Sequence, residues 1–198
     1  ITGVHSGFTK VDQFTMGWQK GNLIILGARP SVGKTAFALN LARNAAVEFG
    51  EGVAFFSLEM TDMELTDRLI ASESGISADK LKGKVKMNPE EWVVLEQSIK
   101  RLVKAPLYID ETPGITLTEF TAKAKRLVRE KGVKIIFVDY LQLMHSGKPQ
   151  QGGFSKVQEV TEISNTLKTT AKDLKVPIIA LAQLNRNLMS RAGSNGKP

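Results

Sequence analysis

Short, continuously apolar runs alternate along this chain with longer stretches in which apolar residues recur at helical spacing. The runs at 23–26, 53–58, 107–109, 135–138 and 178–182 show no polar–apolar alternation, which predicts parallel strands covered on both faces. Helices are predicted between and around them at about 35–49, 62–74, 89–104, 118–131 and 157–174. In the last, Val157, Val160, Ile163, Leu167, Ala171 and Leu174 mark one stripe, and in the fourth Phe120, Ala124, Leu127 and Val128 do the same. Both stripes read as core. The rhythm predicts a doubly wound, mostly parallel α/β sheet flanked by helices. Ligand chemistry belongs beyond the C-terminal ends of such strands.

Two polar segments interrupt the pattern. Residues 145–156 are glycine-rich and basic, and 186–198 are similar, so both read as loops. Residues 1–22, with Gly3, Gly7, Gly17 and Gly21, read as a lead-in lying on the surface. No repeat or linker divides the 198 residues, of which 42% are hydrophobic, so one domain is expected. The chain opens at Ile1 rather than Met, which fits a piece of a longer protein.

No apolar run approaches the ~20 residues of a membrane span, and no cysteine is available for disulfides or thiolate metal sites. A soluble cytoplasmic protein with no membrane partner is expected. His5 and His145 lack ligand spacing and read as solvated loop histidines. The net charge of +7 is uneven: from Ser146 onward eight Lys and Arg face three acids, and no acid follows Asp173. Such asymmetry suggests an edge that faces a polyanion, although a merely basic surface would look the same.

The chemistry concentrates after the first run. Ala28-Arg29-Pro30-Ser31-Val32-Gly33-Lys34-Thr35 lies between an apolar strand and a helix rich in Ala and Leu, the context that a phosphate-binding loop requires. Successive N–H groups and the helix N-terminus can wrap an anionic phosphate, Lys34 can reach the outer phosphates, and Thr35 offers a hydroxyl to Mg²⁺. With Ala36 these residues make up the candidate nucleotide-binding set. Ala28 stands where the motif usually has its first glycine, since Gly27 falls one residue too early.

Three later strands end in polar residues. Asp139 closes the run at 135–138, where a carboxylate can support the Mg²⁺ shell. Glu59 follows the run at 53–58 and could polarise a water that attacks a γ-phosphate, or could instead cap a helix starting near Thr61. Gln183 follows the run at 178–182 and could sense the γ-phosphate, or could only satisfy loop main-chain groups.

Taken together, 28–35, Ser57-Leu58-Glu59-Met60, Asp139-Tyr140-Leu141-Gln142-Leu143-Met144 and Gln183-Leu184-Asn185-Arg186 resemble the RecA-like motor domain of the bacterial replicative DNA helicases, the DnaB family. The lead-in Gly3-Val4-His5-Ser6-Gly7-Phe8-Thr9 is similar to that family's as well. The resemblance implies a RecA-like P-loop fold and a hexameric ring around single-stranded DNA. It also implies ATP held between subunits, and primase and loader among the partners. By motif, Lys34, Glu59 and Gln183 become catalytic, with Glu59 the base and Gln183 the phosphate sensor, while Thr35 and Asp139 hold Mg²⁺. The loops after Met144 and Asn185 correspond to those facing the channel, which makes Lys148, Lys156, Arg186 and Arg191 DNA-binding candidates. The family's arginine finger lies beyond a stretch echoed by Gly196-Lys197-Pro198, so this chain alone is expected to bind nucleotide and hydrolyse it poorly. A recombination or repair ATPase on the same fold, and a nucleotide-gated assembly protein without motor activity, are the alternatives.

Overall fold

The computed structural model describes residues 1–147 and 156–184. Among them, β1 Leu23–Ala28, β2 Gly52–Ser57, β3 Leu107–Asp110, β4 Val133–Asp139 and β5 Ile178–Gln183 form one sheet in the order β1-β5-β4-β2-β3. Every pair in it is parallel. The helices are α1 Thr9–Thr15, α2 Lys34–Arg43, α3 Asp62–Ser74, α4 Ala78–Leu81, α5 Pro89–Lys104, α6 Leu117–Lys131 and α7 Lys156–Leu174.

Side chains of successive strand residues enter opposite layers, as the pleat requires. Ala54, Phe56, Ile136, Val138, Ile178 and Ala180 pack with Phe120 and Ala124 of α6 and with Ile163, Leu167 and Ala171 of α7. Val53, Phe55, Ile135, Phe137, Ile179 and Leu181 pack on the other face with Ala38, Leu39, Leu41 and Ala42 of α2 and Leu65 and Leu69 of α3. Because all the strands run in the same direction, every C-terminal end lies on one edge of the sheet. Three helices begin with a reciprocal cap that the sequence spells out. Thr61 with Glu64, Asn88 with Glu91 and Thr116 with Glu119 each satisfy main-chain N–H groups at the start of α3, α5 and α6.

Several expectations are corrected. Residues 1–22 are not simply laid on the surface: they hold α1, an antiparallel bridge between Val4 and Trp18, and a buried Val4 and Ser6. His5 is no bare loop histidine either, since its ring stacks on Phe49 at 4.3 Å and its Nδ1 lies 3.7 Å from the Asp12 carboxylate. The helix predicted to run through residue 49 changes to a π-turn at Asn44–Glu48, in which Phe49 N–H reaches back to Asn44 O. Asn44 is buried there and its amide donates to Ser6 O, tying the lead-in to this helix. Val157 is 75% exposed and leaves the predicted stripe of α7. β1 is an edge strand with Ile25 half exposed, so only β2, β4 and β5 are covered as fully as their apolar runs suggest.

Candidate functional site

The loop after β1 turns through two left-handed positions, Ser31 at φ 63° and Gly33 at φ 93°. Gly33 then caps α2 without any side-chain hydrogen bond. A Cβ at Gly33 would meet nothing within 4 Å, so the glycine answers to its backbone angle rather than to crowding. The first N–H groups of a helix have no partner inside it. Here Gly33, Lys34, Thr35 and Ala36, together with Arg29, Pro30 and Ser31, line a cavity of about 440 Å³. Ala28 is the last residue of β1, in register with Gln183, and its strand conformation needs no glycine. That accounts for the departure from the usual motif. Neither Ala28 nor the exposed Val32 is part of the lining.

β4 delivers Asp139 beneath this loop. Its side chain is 1% exposed, and the Thr35 hydroxyl donates to Oδ2 at 2.6 Å. Lys34 Nζ lies 3.9 Å from Oδ1 and 4.4 Å from the centre of the Tyr140 ring. Burial raises the Asp139 carboxyl above the ordinary carboxylate range, while the Thr35 bond and the Lys34 charge oppose that rise. Asp139 Oδ1 is buried and has no hydrogen-bond partner among the described residues. A buried carboxylate oxygen left open beside a threonine hydroxyl fits a divalent cation. Mg²⁺ in such sites takes one or two protein oxygens and shares the remainder with substrate phosphates and water. Among the described residues no cluster of three acidic, His or Cys groups offers a denser cage.

Glu59 and Gln183 line the same cavity. Glu59 is exposed at its mouth, and its charge helps to raise the Tyr140 hydroxyl after burial has done most of that work. It does not cap α3, because Thr61 and Glu64 perform that task. Gln183 ends β5, and its main chain is held by the Gln142 side chain. Residue types and strand ends point to Lys34, Thr35, Glu59, Asp139 and Gln183 on one edge; the fold lines one cavity with four of them and sets Asp139 against Thr35 and Lys34.

Three further residues at the site escaped the sequence reading. Glu64 and Arg68, one turn apart on α3, line the same cavity. Hydrogen bonds from Thr61 hold the Glu64 carboxyl below its ordinary range, and the Arg68 charge adds to that effect. Arg68 also acts on Asp139, opposing the rise that burial causes there. The signal for the pair was the i,i+4 spacing on the helix that follows Glu59 directly. Tyr140, beside Asp139, is the third. Of the DNA-binding candidates, Lys148, Arg186 and Arg191 lie outside the described residues, as does the side chain of Lys156.

Comparison with known proteins gives a consistent picture. The family model for the DnaB-like helicase C terminal domain matches residues 3–198. Replicative DNA helicase DnaB of Geobacillus stearothermophilus is 46% identical over 192 residues, covering 96% of this chain and 41% of that protein. Replicative DNA helicase DnaC of Bacillus subtilis (strain 168) is similar to the same degree, with the same coverage. The chain therefore spans about two fifths of the length of these curated relatives. Among solved structures, a DnaB-like replicative helicase studied for its interactions with primase superposes with a TM-score of 0.87. It is 34% identical over all of this chain and 47% of its own. A second solved structure, described as an ATPase domain, gives a TM-score of 0.87 at 35% identity, over 99% of this chain and 69% of its own.

Proposed function

The chain belongs to the DnaB-like helicase C-terminal domain family and has the RecA-like fold of its ATPase domains; on that premise we propose that it is the ATP-driven motor of a replicative DNA helicase. The observation that carries the proposal is the convergence of Lys34, Thr35 and Asp139 under a cavity whose mouth is lined by Glu59 and Gln183.

In this reading the N–H groups at the start of α2 cradle the β- and γ-phosphates of ATP. Lys34 moves from Asp139 and the Tyr140 ring to the outer phosphates, exchanging one set of weak partners for a stronger anion. Thr35 and Asp139 would hold Mg²⁺, which when bound supplies charge neutralisation for the transferring phosphoryl group. Glu59, at the open side of the cavity, orients and deprotonates the attacking water. Gln183 donates to a γ-phosphate oxygen and loses that partner after hydrolysis. Arg68 adds a further cation to the lining of the cavity.

Replication supplies the rest of the reading: single-stranded DNA as the track, a hexameric ring of this chain, and primase and loader as partners in the cytoplasm. No helix among the described residues is long and apolar enough to cross a membrane. Lys148, Lys156, Arg186 and Arg191 are the residues proposed to follow the DNA phosphates.

The test is ATP hydrolysis by the intact protein with and without single-stranded DNA. Stimulation by DNA, lost when the Mg²⁺ is chelated, is expected; hydrolysis indifferent to DNA would move the protein away from the motors.

A further inference from the structure

β4 and β5 part company before either strand ends. Their pairing stops at Val138 and Ala180, although β5 continues to Gln183. On its other side β5 stays paired with β1 up to Gln183 opposite Ala28, and Leu184 N–H then donates to Ala28 O at 3.1 Å. Main-chain groups of neighbouring strand residues point to alternate sides, so the N–H and C=O of Gln183 face the side that β4 has left. Two polar groups there would lack a ladder partner.

A side chain fills that place. The carboxamide of Gln142 donates from Nε2 to Gln183 O at 3.0 Å, and Gln183 N–H donates to Gln142 Oε1 at 3.3 Å. Of the common side chains, a carboxamide supplies a donor and an acceptor side by side, as a strand would. Gln142 sits in the short 3-10 turn Leu141–Leu143, pinned by buried Leu141 and Met144. It follows Asp139 by three residues, and Asp139 O accepts from Leu58 N–H at 2.8 Å, beside Glu59. One run of contacts therefore joins the ends of β2, β4, β5 and β1, and Gln142 is its side-chain link.

The geometry points to Gln142 as a positioning residue: it holds the main chain of Gln183 where that side chain meets the nucleotide, and ties it to the segment carrying Asp139. This rests on the nucleotide-hydrolysing reading of the cavity. Gln142 pairs the main chain of Gln183 itself, and Gln183 lines the cavity.

The test compares Gln142→Leu, Gln183→Ala and the double variant in the intact protein, measuring kcat for ATP and the affinity for a fluorescent ATP analogue. Leaving the two Gln183 groups unpaired is expected to lower kcat about tenfold or more in Gln142→Leu. Analogue affinity should stay within about threefold, a loss of turnover without a matching loss of binding. The double variant should be no worse than Gln183→Ala beyond about threefold, because both changes disable one unit. Unchanged kcat in Gln142→Leu, multiplied losses in the double variant, or kcat and affinity falling together with the melting temperature would each overturn the assignment. A wild-type protein that binds no analogue would overturn the nucleotide reading itself, and this inference with it.

Discussion

Thr35 and Asp139 stand 104 positions apart in the chain and share a 2.6 Å hydrogen bond, hydroxyl to carboxylate. That bond closes the distance between the start of α2 and the end of β4, and the second oxygen of Asp139 is buried without a hydrogen bond, 3.9 Å from Lys34 Nζ. An ionised carboxylate in this position is suited to a divalent cation, because burial costs its charge more than the Thr35 bond and the Lys34 charge return.

The consequence for stability has a definite sign. Folding raises the pKa of Asp139, chiefly by burial, from an ordinary value of 3.8. A raised acid is better protonated in the fold than in the unfolded chain. Its ionised form therefore destabilises the nucleotide-free protein at neutral pH, and the penalty is relieved as pH falls through the raised pKa. Asp139→Asn keeps an acceptor for Thr35 and removes the charge. It is expected to raise the melting temperature at pH 7.5 by about 2–4 °C, the shift that ~1 kcal/mol produces in a domain of this size. The gain should shrink as pH falls from 7.5 through the raised pKa, and the stabilisation that Mg²⁺ and ATP are expected to give the wild type should be lost. Thermal denaturation across that pH range checks it, and a variant that melts lower at pH 7.5 contradicts it.

Glu59→Gln separates binding from chemistry. Glu59 lines the mouth of the cavity and makes no cap for α3, so its removal leaves the loop intact. Steady-state turnover should fall about 10²–10⁴-fold, the usual worth of a positioned general base. Affinity for ATP should change by no more than about threefold. Equal losses in both would place Glu59 among the groups that hold the ground state.

Arg68→Ala should weaken nucleotide binding. Arg68, on α3, lines the same cavity as the phosphate loop, and its charge reaches Asp139. A charge-assisted contact in such a site contributes about 1.5–3 kcal/mol, which sets the expected loss of ATP affinity at about ten- to a hundredfold. Titration calorimetry with ATP and with AMP distinguishes the cause, since the effect should fade for the monophosphate. An equal loss for both nucleotides would point to a general disturbance of α3.

What the sequence displayed follows from the kind of packing each element has. β2, β4 and β5 lie inside the sheet, so their runs are apolar throughout and mark both their position and the polar residue that ends them. Asp139, Glu59 and Gln183 stood out as candidates for that reason, whereas Lys34 and Thr35 stood out through the loop motif that follows the edge strand β1. α1 was not: the one residue it buries is Asp12, whose carboxylate accepts from Ser6 N–H at 2.8 Å, and Phe14 is 91% exposed. No apolar stripe announces such a helix. Gln142 was hidden differently, because it meets Gln183 only through the neighbouring positions of β4 and β5, 41 residues apart in the chain. The residues also left a recombination ATPase and a nucleotide-gated scaffold open, and family membership is what favours the motor.

Unwinding of a forked DNA duplex by the intact protein, beside its Lys34→Ala variant, tests the central claim most directly. ATP-dependent strand separation by the wild type, absent in the variant, is the predicted result. A protein that binds and hydrolyses ATP at this cavity yet separates no strands would contradict the motor.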